Sequence, residues 1–564
     1  MVRSMRLPAY DGFSNVNPQM HLLDFFATTG ALWALSSHAA SACAGRAVQA
    51  DLARALGPCL LAAQLVACEA LATPEVRLCR SDSDCGSQFG FTSTCAESGY
   101  CEALSAVKDI GQPRVDEETP YQACSVFPED LWDERHGEYR DAIVFGYMKA
   151  KDRDADSNRL VAAKIAIKEA NKALSEHAHR FGLAVCDYDE RDDNDDAASD
   201  HGPTAEERAS VLLDSLTAPV ILGPSRSRDA LSVVNSLRAQ GLDTVVISPA
   251  ATSADLKPAA TDSPFWRTVP HGRHQVLRLQ RLAVEAEVQE MVPLNLDVTG
   301  KDNYAKEFRE DWPDEVPLAT SKVYKSVKDI SKVVSEIDMR CSSSTCALLF
   351  ISTVNHDQDA FIEAIAKKGP RRVFFTSSAA NGDLLAALNK HKGVWEWAER
   401  CMLGTQYRTA GADQSEVYRD FEGRFQAATR DSRLACGNTC LQNDAHIART
   451  YDATWLAIHG AIWSAVHGSV TGSSIRAAFE ELNAEAAGSA AIFGPSYGFG
   501  LGLKPPIGAS GPLRYEGGEL AGTTEELVEV WQVKREGEGP STRFHFVTCH
   551  DLKRCLDDMA VCIP

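Results

Sequence analysis

From near residue 140 onward, short apolar runs alternate with stretches of helical period. Residues 141–147 read as a strand, and 160–174 carry apolar residues at helical spacing. A strand at 181–186, a helix at 205–216 and a strand at 220–222 ending at Gly223 follow. Next come a helix over 230–239 and a strand over 244–247 that ends at Ser248-Pro249. Such alternation implies βαβ units, hence a parallel sheet with helices on both faces. The pattern then repeats: 265–270, a helix, a strand-like 288–296 and a helix around 304–312. Strands at 321–324, 347–351 and 372–375 are separated by helices near 329–337 and 357–367. Long helices at 414–427 and 443–466 and a strand-like 527–533 close the series. Two successive sets predict an α/β protein of two lobes, each a mainly parallel sheet flanked by helices.

The 140 residues before this region do not follow the pattern. Cysteines at 79, 85, 95 and 101 fall in a stretch too small to build an apolar core, so two disulfides would have to staple it. Pro113, Pro120 and Pro128 then interrupt regular structure and mark a linker over 105–137. Seventeen cysteines in all, with local pairs at Cys341/Cys346 and Cys436/Cys440 and a cluster at Cys549, Cys555 and Cys562, predict disulfides. None has zinc-site spacing, so an oxidising compartment is implied. The export signal that this requires is best matched by 52–68, LARALGPCLLAAQLVAC: Arg54, an apolar stretch from Leu60, then Leu65-Val66-Ala67-Cys68. The last four residues resemble the lipobox of bacterial lipoproteins, which makes Cys68 the expected lipidated residue. A leader beginning near residue 48 would put the translation start downstream of Met1. With Cys43 and Cys59 removed and Cys68 lipidated, fourteen cysteines remain, an even number. No other apolar run approaches the ~20 residues of a bilayer span. The anchor expected is therefore a lipid.

The expected organisation is an N-terminal extension and signal (1–68), a stapled segment (69–104), the linker, a two-lobed domain (138–536) and a cysteine-containing tail (537–564). Lobe I takes about 138–270 and 408–505, and lobe II about 271–407 and 506–536. A formal charge of −21 in 564 residues argues against a nucleic-acid partner, because phosphate binding needs a basic surface.

Several local sequences occur in an order that resembles one family. Gly223-Pro-Ser-Arg-Ser227 follows a buried strand, and Ile247-Ser-Pro-Ala-Ala-Thr-Ser253 ends the next. Phe265-Trp-Arg-Thr-Val-Pro270, Asn303-Tyr304-Ala305, Tyr451-Asp452-Ala453 and Gly511-Pro-Leu-Arg-Tyr515 come after. The chain resembles the type I periplasmic solute-binding proteins, in particular their branched-chain amino-acid-binding branch, over about 140–535. That resemblance implies the two-lobed type I periplasmic-binding fold and capture of a small molecule between the lobes without chemistry or cofactor. It also implies a place in the periplasm or cell envelope, and an ABC-type permease as partner. A ligand-sensing or regulatory lipoprotein of the same fold is the alternative.

By resemblance, Ser225, Ser227, Ala250 and Thr252 form the first-lobe half of the site. Tyr304, the loop Val354-Asn355-His356 and Ser377-Ser378 form the second. Backbone amides and hydroxyls after the first-lobe strands suit an amino acid or another small polar or anionic solute. Ser and Thr at these places are also what helix N-caps prefer. Two departures bear on specificity. The loop 376–382 lacks the acidic residue that meets an amino acid's ammonium in this family, the next carboxylate being Asp383. The first-lobe loop 149–156, usually small and Gly-rich, is charged.

Two further motifs fail on context. Gly494-Pro-Ser-Tyr-Gly498 matches a serine-hydrolase elbow, but Gly500, Gly502, Pro505 and Pro506 exclude the helix that must follow it. The acidic run 187–200 has Ala197 where a calcium loop needs Gly and Pro203 where it needs Glu.

Overall fold

The chain divides into two units, Met1–Arg77 and Leu78–Pro564. A computed structural model describes residues 93–95, 101–103, 124–129, 131, 142–151, 154–173, 180–189, 202–214, 216–256 and 263–296. It further describes 308–312, 316–320, 322–324, 326–340, 345–351, 357–368, 372–377, 382–408, 416–430, 441, 444–467 and 469–484. The remainder is 507–513, 515–516, 519–520, 524–536, 543–549 and 551–560. All of them lie in the second unit.

Two short strands, β1 (Ser93–Cys95) and β2 (Cys101–Ala103), pair as an antiparallel hairpin within the cysteine-rich segment. The first large sheet contains β3 (Cys124–Phe127), β4 (Ile143–Ala150), β5 (Phe181–Tyr188), β6 (Val220–Leu222), β7 (Val245–Ser248) and β8 (Phe265–Arg267). Its strand order is β3-β5-β4-β6-β7-β8, with every pair parallel except β3 against β5. The helices α1 (Asp154–Ala173), α2 (Ala205–Asp214) and α3 (Ser227–Gln240) make its crossovers. Alternate residues of each strand enter opposite cores, as period 2 requires. On β4, Phe145 and Tyr147 face one apolar cluster while Val144 and Met148 face the other. On β5 the split is Phe181, Leu183 and Val185 against Ala184, Cys186 and Tyr188. Strands buried on both faces read as continuous apolar runs, which is why they were visible in the sequence.

After β8 the chain enters a second sheet. It begins with α4 (Gly272–Glu285), β9 (Glu290–Leu296), β10 (Lys322–Tyr324), α5 (Ile330–Arg340), β11 (Cys346–Ile351) and α6 (Asp357–Lys368). It continues with β12 (Arg372–Phe375), α7 (Gly382–Lys390), α8 (Trp395–Cys401) and β13 (Met402–Tyr407). The chain then returns to the first sheet with α9 (Glu416–Thr429), α10 (His446–His467) and α11 (Gly472–Ala484). Apolar residues of all three join the cluster around Phe145 and Trp266. Four two-residue strands follow, β14 (Ile507–Gly508), β15 (Gly511–Pro512), β16 (Tyr515–Glu516) and β17 (Glu519–Leu520). Ala509, Leu513, Tyr515 and Leu520 of this segment join the same cluster, so lobe I extends past residue 505 to Leu520. Asp452 of α10 fixes this segment by accepting the Ala509 and Ser510 N–H groups, both at 2.7 Å. Gly508 is required there, because a Cβ would stand 2.3 Å from the Asp452 carboxyl carbon.

A third crossing leads through α12 (Thr524–Leu527) to β18 (Val528–Glu536), β19 (Arg543–Thr548) and α13 (Leu552–Ala560). The second sheet runs β10-β9-β11-β12-β13-β18-β19, parallel up to β13 and antiparallel beyond it. The described residues of the expected tail, 543–549 and 551–560, are therefore part of lobe II. β19 is its edge strand, and α13 buries Cys555 and Met559 on one face of the sheet, beside the Cys549–Cys555 disulfide.

The interval expected to be linker contributes β3, paired to β5 and closed by a Cys124–Cys186 disulfide. Lys164 and Lys168 of α1 stand over the Phe127 ring at 5.1 and 5.5 Å, adding cation–π contacts. Four residues are too few to show a period, and the bond that holds them joins cysteines 62 residues apart. Replacing both cysteines by alanine is expected to cost about 2–4 kcal/mol, the usual value for a disulfide. Urea unfolding of the double variant under non-reducing conditions measures it, and an unchanged midpoint would show that β3 is held by pairing alone.

Candidate functional site

The carboxyl ends of β4, β6 and β7 release three neighbouring loops, and buried charge organises them. Gly223, directly after β6, has φ +89°, and a Cβ there would lie 3.0 Å from the Met148 carbonyl. A left-handed residue at this close approach has to be glycine. The loop then presents Ser225, whose hydroxyl donates to Asp156 Oδ1 at 2.8 Å. Asp156, in the first turn of α1, is fully buried. Its Oδ2 accepts the Ala150 N–H at 3.2 Å, and Arg159 Nη1 donates to Oδ1 at 3.0 Å. Arg159 also grips Asp444 with two parallel bonds, Nε to Oδ2 at 2.8 Å and Nη2 to Oδ1 at 3.1 Å. This bidentate geometry is the strong form of the pair. Burial opposes ionisation of Asp444, but Arg159 outweighs it and holds the carboxyl below the usual range.

The second loop is fastened to the third by hydroxyls. Ser227 Oγ accepts the N–H groups of Thr252 and Ser253, at 3.1 and 3.2 Å. Ser248 Oγ donates to the Pro224 carbonyl at 2.7 Å and accepts the Ala251 N–H at 3.0 Å. Beneath them lies Arg267, with no solvent exposure. It donates to the carbonyls of Ala251, Ser253 and Leu256 at 3.3, 3.1 and 3.0 Å. The structure thus brings Ser225, Ser227, Ala250 and Thr252 together on one edge of lobe I. The Ser225 hydroxyl proton and the Thr252 and Ser253 amides are already used within the protein. Ala250 and Thr252 are half-buried, and the Thr252 hydroxyl meets no partner among the described residues.

Tyr304, Val354, Asn355, His356, Ser378 and Cys68 lie outside the described residues, as do Ser496 and most of the acidic run 187–200. Ser377, half-buried, follows the buried Thr376 at the end of β12. Two groups of lobe II were not anticipated. The Tyr324 hydroxyl donates to Asp357 Oδ2 at 2.6 Å, and both residues are fully buried. Burial, then the Asp357 charge, raise the Tyr324 pKa.

Where the chain passes between the lobes, polar backbone is buried. Arg449 of α10 donates from Nη1 to the Thr268 carbonyl and from Nη2 to the Arg408 carbonyl, both at 2.6 Å. Thr268 returns a bond to the Arg449 carbonyl at 2.8 Å, and the Arg408 N–H reaches the Leu527 carbonyl at 2.9 Å. Val269, Tyr407 and Val528, one from each crossing, form a small apolar cluster. Burial lowers the Arg449 pKa to about 10, which leaves the guanidinium charged at neutral pH.

Solved structures share this fold. A type 1 periplasmic binding protein from Bordetella pertussis is 14% identical with a TM-score of 0.54, the match covering 72% of this chain and 100% of that one. A leucine-binding protein from Thermotoga maritima is 15% identical with a TM-score of 0.51, covering 72% and 98%. The chain has the two-lobed type I periplasmic-binding fold. No family model and no curated protein matches the sequence. Among the described residues no group of His, Cys, Asp and Glu is arranged to hold a metal, and no helix is long and apolar enough to cross a membrane.

Two predictions follow from the buried charges. Arg159→Leu leaves Asp156 and Asp444 buried without their cation and is expected to cost about 3–5 kcal/mol. Chemical denaturation measures the loss, and a cost below about 1 kcal/mol would place the network in contact with solvent. The second concerns two histidines. Burial, then Arg159, push His446 down to about 3, and burial pushes His459 down to about 4, from an ordinary 6.5. A depressed histidine pKa means that the unfolded chain binds the proton first. Their stabilising contribution is then complete above pH 6.5 and is lost as pH falls toward 3–4. Asp452, raised to about 6 chiefly by burial, works in the opposite direction below that pH. Comparing wild type with a His446→Gln/His459→Gln double variant between pH 7 and 4.5 isolates the histidines: the variant should lose less stability on acidification.

Proposed function

We propose that the chain is an extracytoplasmic small-molecule-binding protein, lipid-anchored through Cys68. In this reading it is the substrate-binding component of an ABC-type transporter for amino acids or related solutes. The observation that carries it is the first-lobe edge, where three strand ends present a rigid array on a two-lobed scaffold. Ligands of open α/β sheets bind at such carboxyl ends. In this reading Ser225, Ser227, Ala250 and Thr252 form one wall, and Tyr304, Asn355 and Ser378 close over the ligand from lobe II. Binding rather than chemistry fits a site whose buried charges are paired with one another and whose fold neighbours are named as binding proteins.

The internal use of the Ser225 and Ser227 hydroxyls favours a second reading, a ligand-sensing or regulatory lipoprotein of the same fold. The two readings share ligand capture and differ in the partner. Calorimetric titration of the full chain with the standard amino acids and small carboxylates tests the shared part. Micromolar binding of at least one solute is expected, weakened about tenfold in Thr252→Ala by loss of one hydrogen bond of about 1–1.5 kcal/mol. No heat and no thermal shift with any of them at millimolar concentration would remove solute capture as the function.

A further inference from the structure

His446 opens α10, two residues after Asp444 and one turn before Arg449. Its Nδ1 lies 3.0 Å from the carbonyl oxygen of Pro249, in the same loop as Ala250 and Thr252. A carbonyl can only accept, so Nδ1 carries the hydrogen and a neutral ring presents a lone pair at Nε2. The ring is half-buried, and among the described residues Nε2 meets no partner. The Tyr407 ring, at the end of β13, is 6.2 Å away between centroids. The imidazole therefore stands where the third loop of the candidate site meets an interlobe crossing.

The groups around it keep it neutral. Burial, then the Arg159 charge, hold its pKa down to about 3, with Arg449 adding to the repulsion. Asp444 pulls the other way, but both its oxygens face Arg159 and one also accepts the His446 N–H at 2.9 Å.

We propose that His446 is a specificity-determining residue, its Nε2 accepting a hydrogen bond from a hydroxyl, amide or ammonium group of the bound solute. This rests on the solute-binding reading and narrows its ligand class. A lone pair repels a carboxylate oxygen, so the anionic end of a ligand belongs on the Thr252 side and a donor belongs against His446. A hydrocarbon placed there would strip water from Nε2 and return nothing, the situation in which a polar site rejects an apolar isostere. The preferred class is a small solute with an anionic end and a separate donor, such as an amino acid with a hydroxyl or amide side chain.

The near-isosteric pairs valine/threonine and leucine/asparagine test this by calorimetry on the full chain. Wild type is expected to bind the donor-bearing member of at least one pair tenfold or more tightly. His446→Phe should erase that preference while retaining binding, and His446→Gln, whose amide oxygen also accepts, should keep part of it. An undiminished preference in His446→Phe overturns the proposal and leaves solute capture standing. Absence of binding across the wider panel of amino acids and carboxylates removes solute capture and this proposal together. Nitrogen-15 NMR of the ligand-free chain gives a check independent of any ligand: His446 should remain neutral and protonated at Nδ1 from pH 8 to 5. An Nε2-protonated ring, or titration near 6.5, overturns the proposal.

Discussion

The chain crosses between its two sheets three times, and each crossing carries polar backbone away from both sheets. Buried carbonyls without donors are costly, so a two-lobed protein has to satisfy them locally. Arg449 does this for two crossings at once through Thr268 and Arg408, and the Arg408 amide passes the connection to Leu527 at the third. Val269, Tyr407 and Val528 fill the space between. Because this donor sits on a lobe I helix, the crossings are referenced to lobe I, and motion of lobe II would have to begin beyond them.

The first-lobe edge follows the same logic at higher charge. Asp156, Arg159 and Asp444 tie the start of α1 to the start of α10, and Arg267 ties three carbonyls of the 251–256 loop. Each ion would be expensive alone, and removing one partner costs more than the pair contributes. What the network supplies is a fixed loop geometry, the preorganisation a binding surface needs. Within the charged stretch 149–156, unusual for this fold in the sequence, Asp156 is accounted for by this network.

Much of the fold was legible because its strands are buried on both faces and read as apolar runs between helical periods. Val220–Leu222 and Arg372–Phe375 were placed at their observed bounds. Other strands shifted by one to three residues: β4 runs on to Ala150, since polar Lys149 sits at the strand end. Elements defined by a partner rather than a period were not legible. β3 exists through β5 and a disulfide to Cys186, and β19 and α13 exist through β18 and the face they cover. Of the candidate site, the sequence indicated four first-lobe positions and none of the interactions that fix them. Ser225, Ser227, Ala250 and Thr252 do converge, yet nothing in their spacing shows that Asp156 accepts a hydrogen bond from the Ser225 hydroxyl. The Arg159–Asp444 pair spans 285 residues and leaves no local signal.

His446 illustrates the limit and its consequence. As one of fifteen histidines it carried no motif, and its meaning comes from a carbonyl 197 residues away. The turn that holds it also holds Arg449, so one turn of α10 touches the 249–252 loop through His446 and the crossings through Arg449. A group that met Nε2 would bear on the same rigid turn that anchors the crossings. The 249–252 loop on the lobe I edge and the reference frame for lobe II are thereby tied to one element, without a separate relay between them.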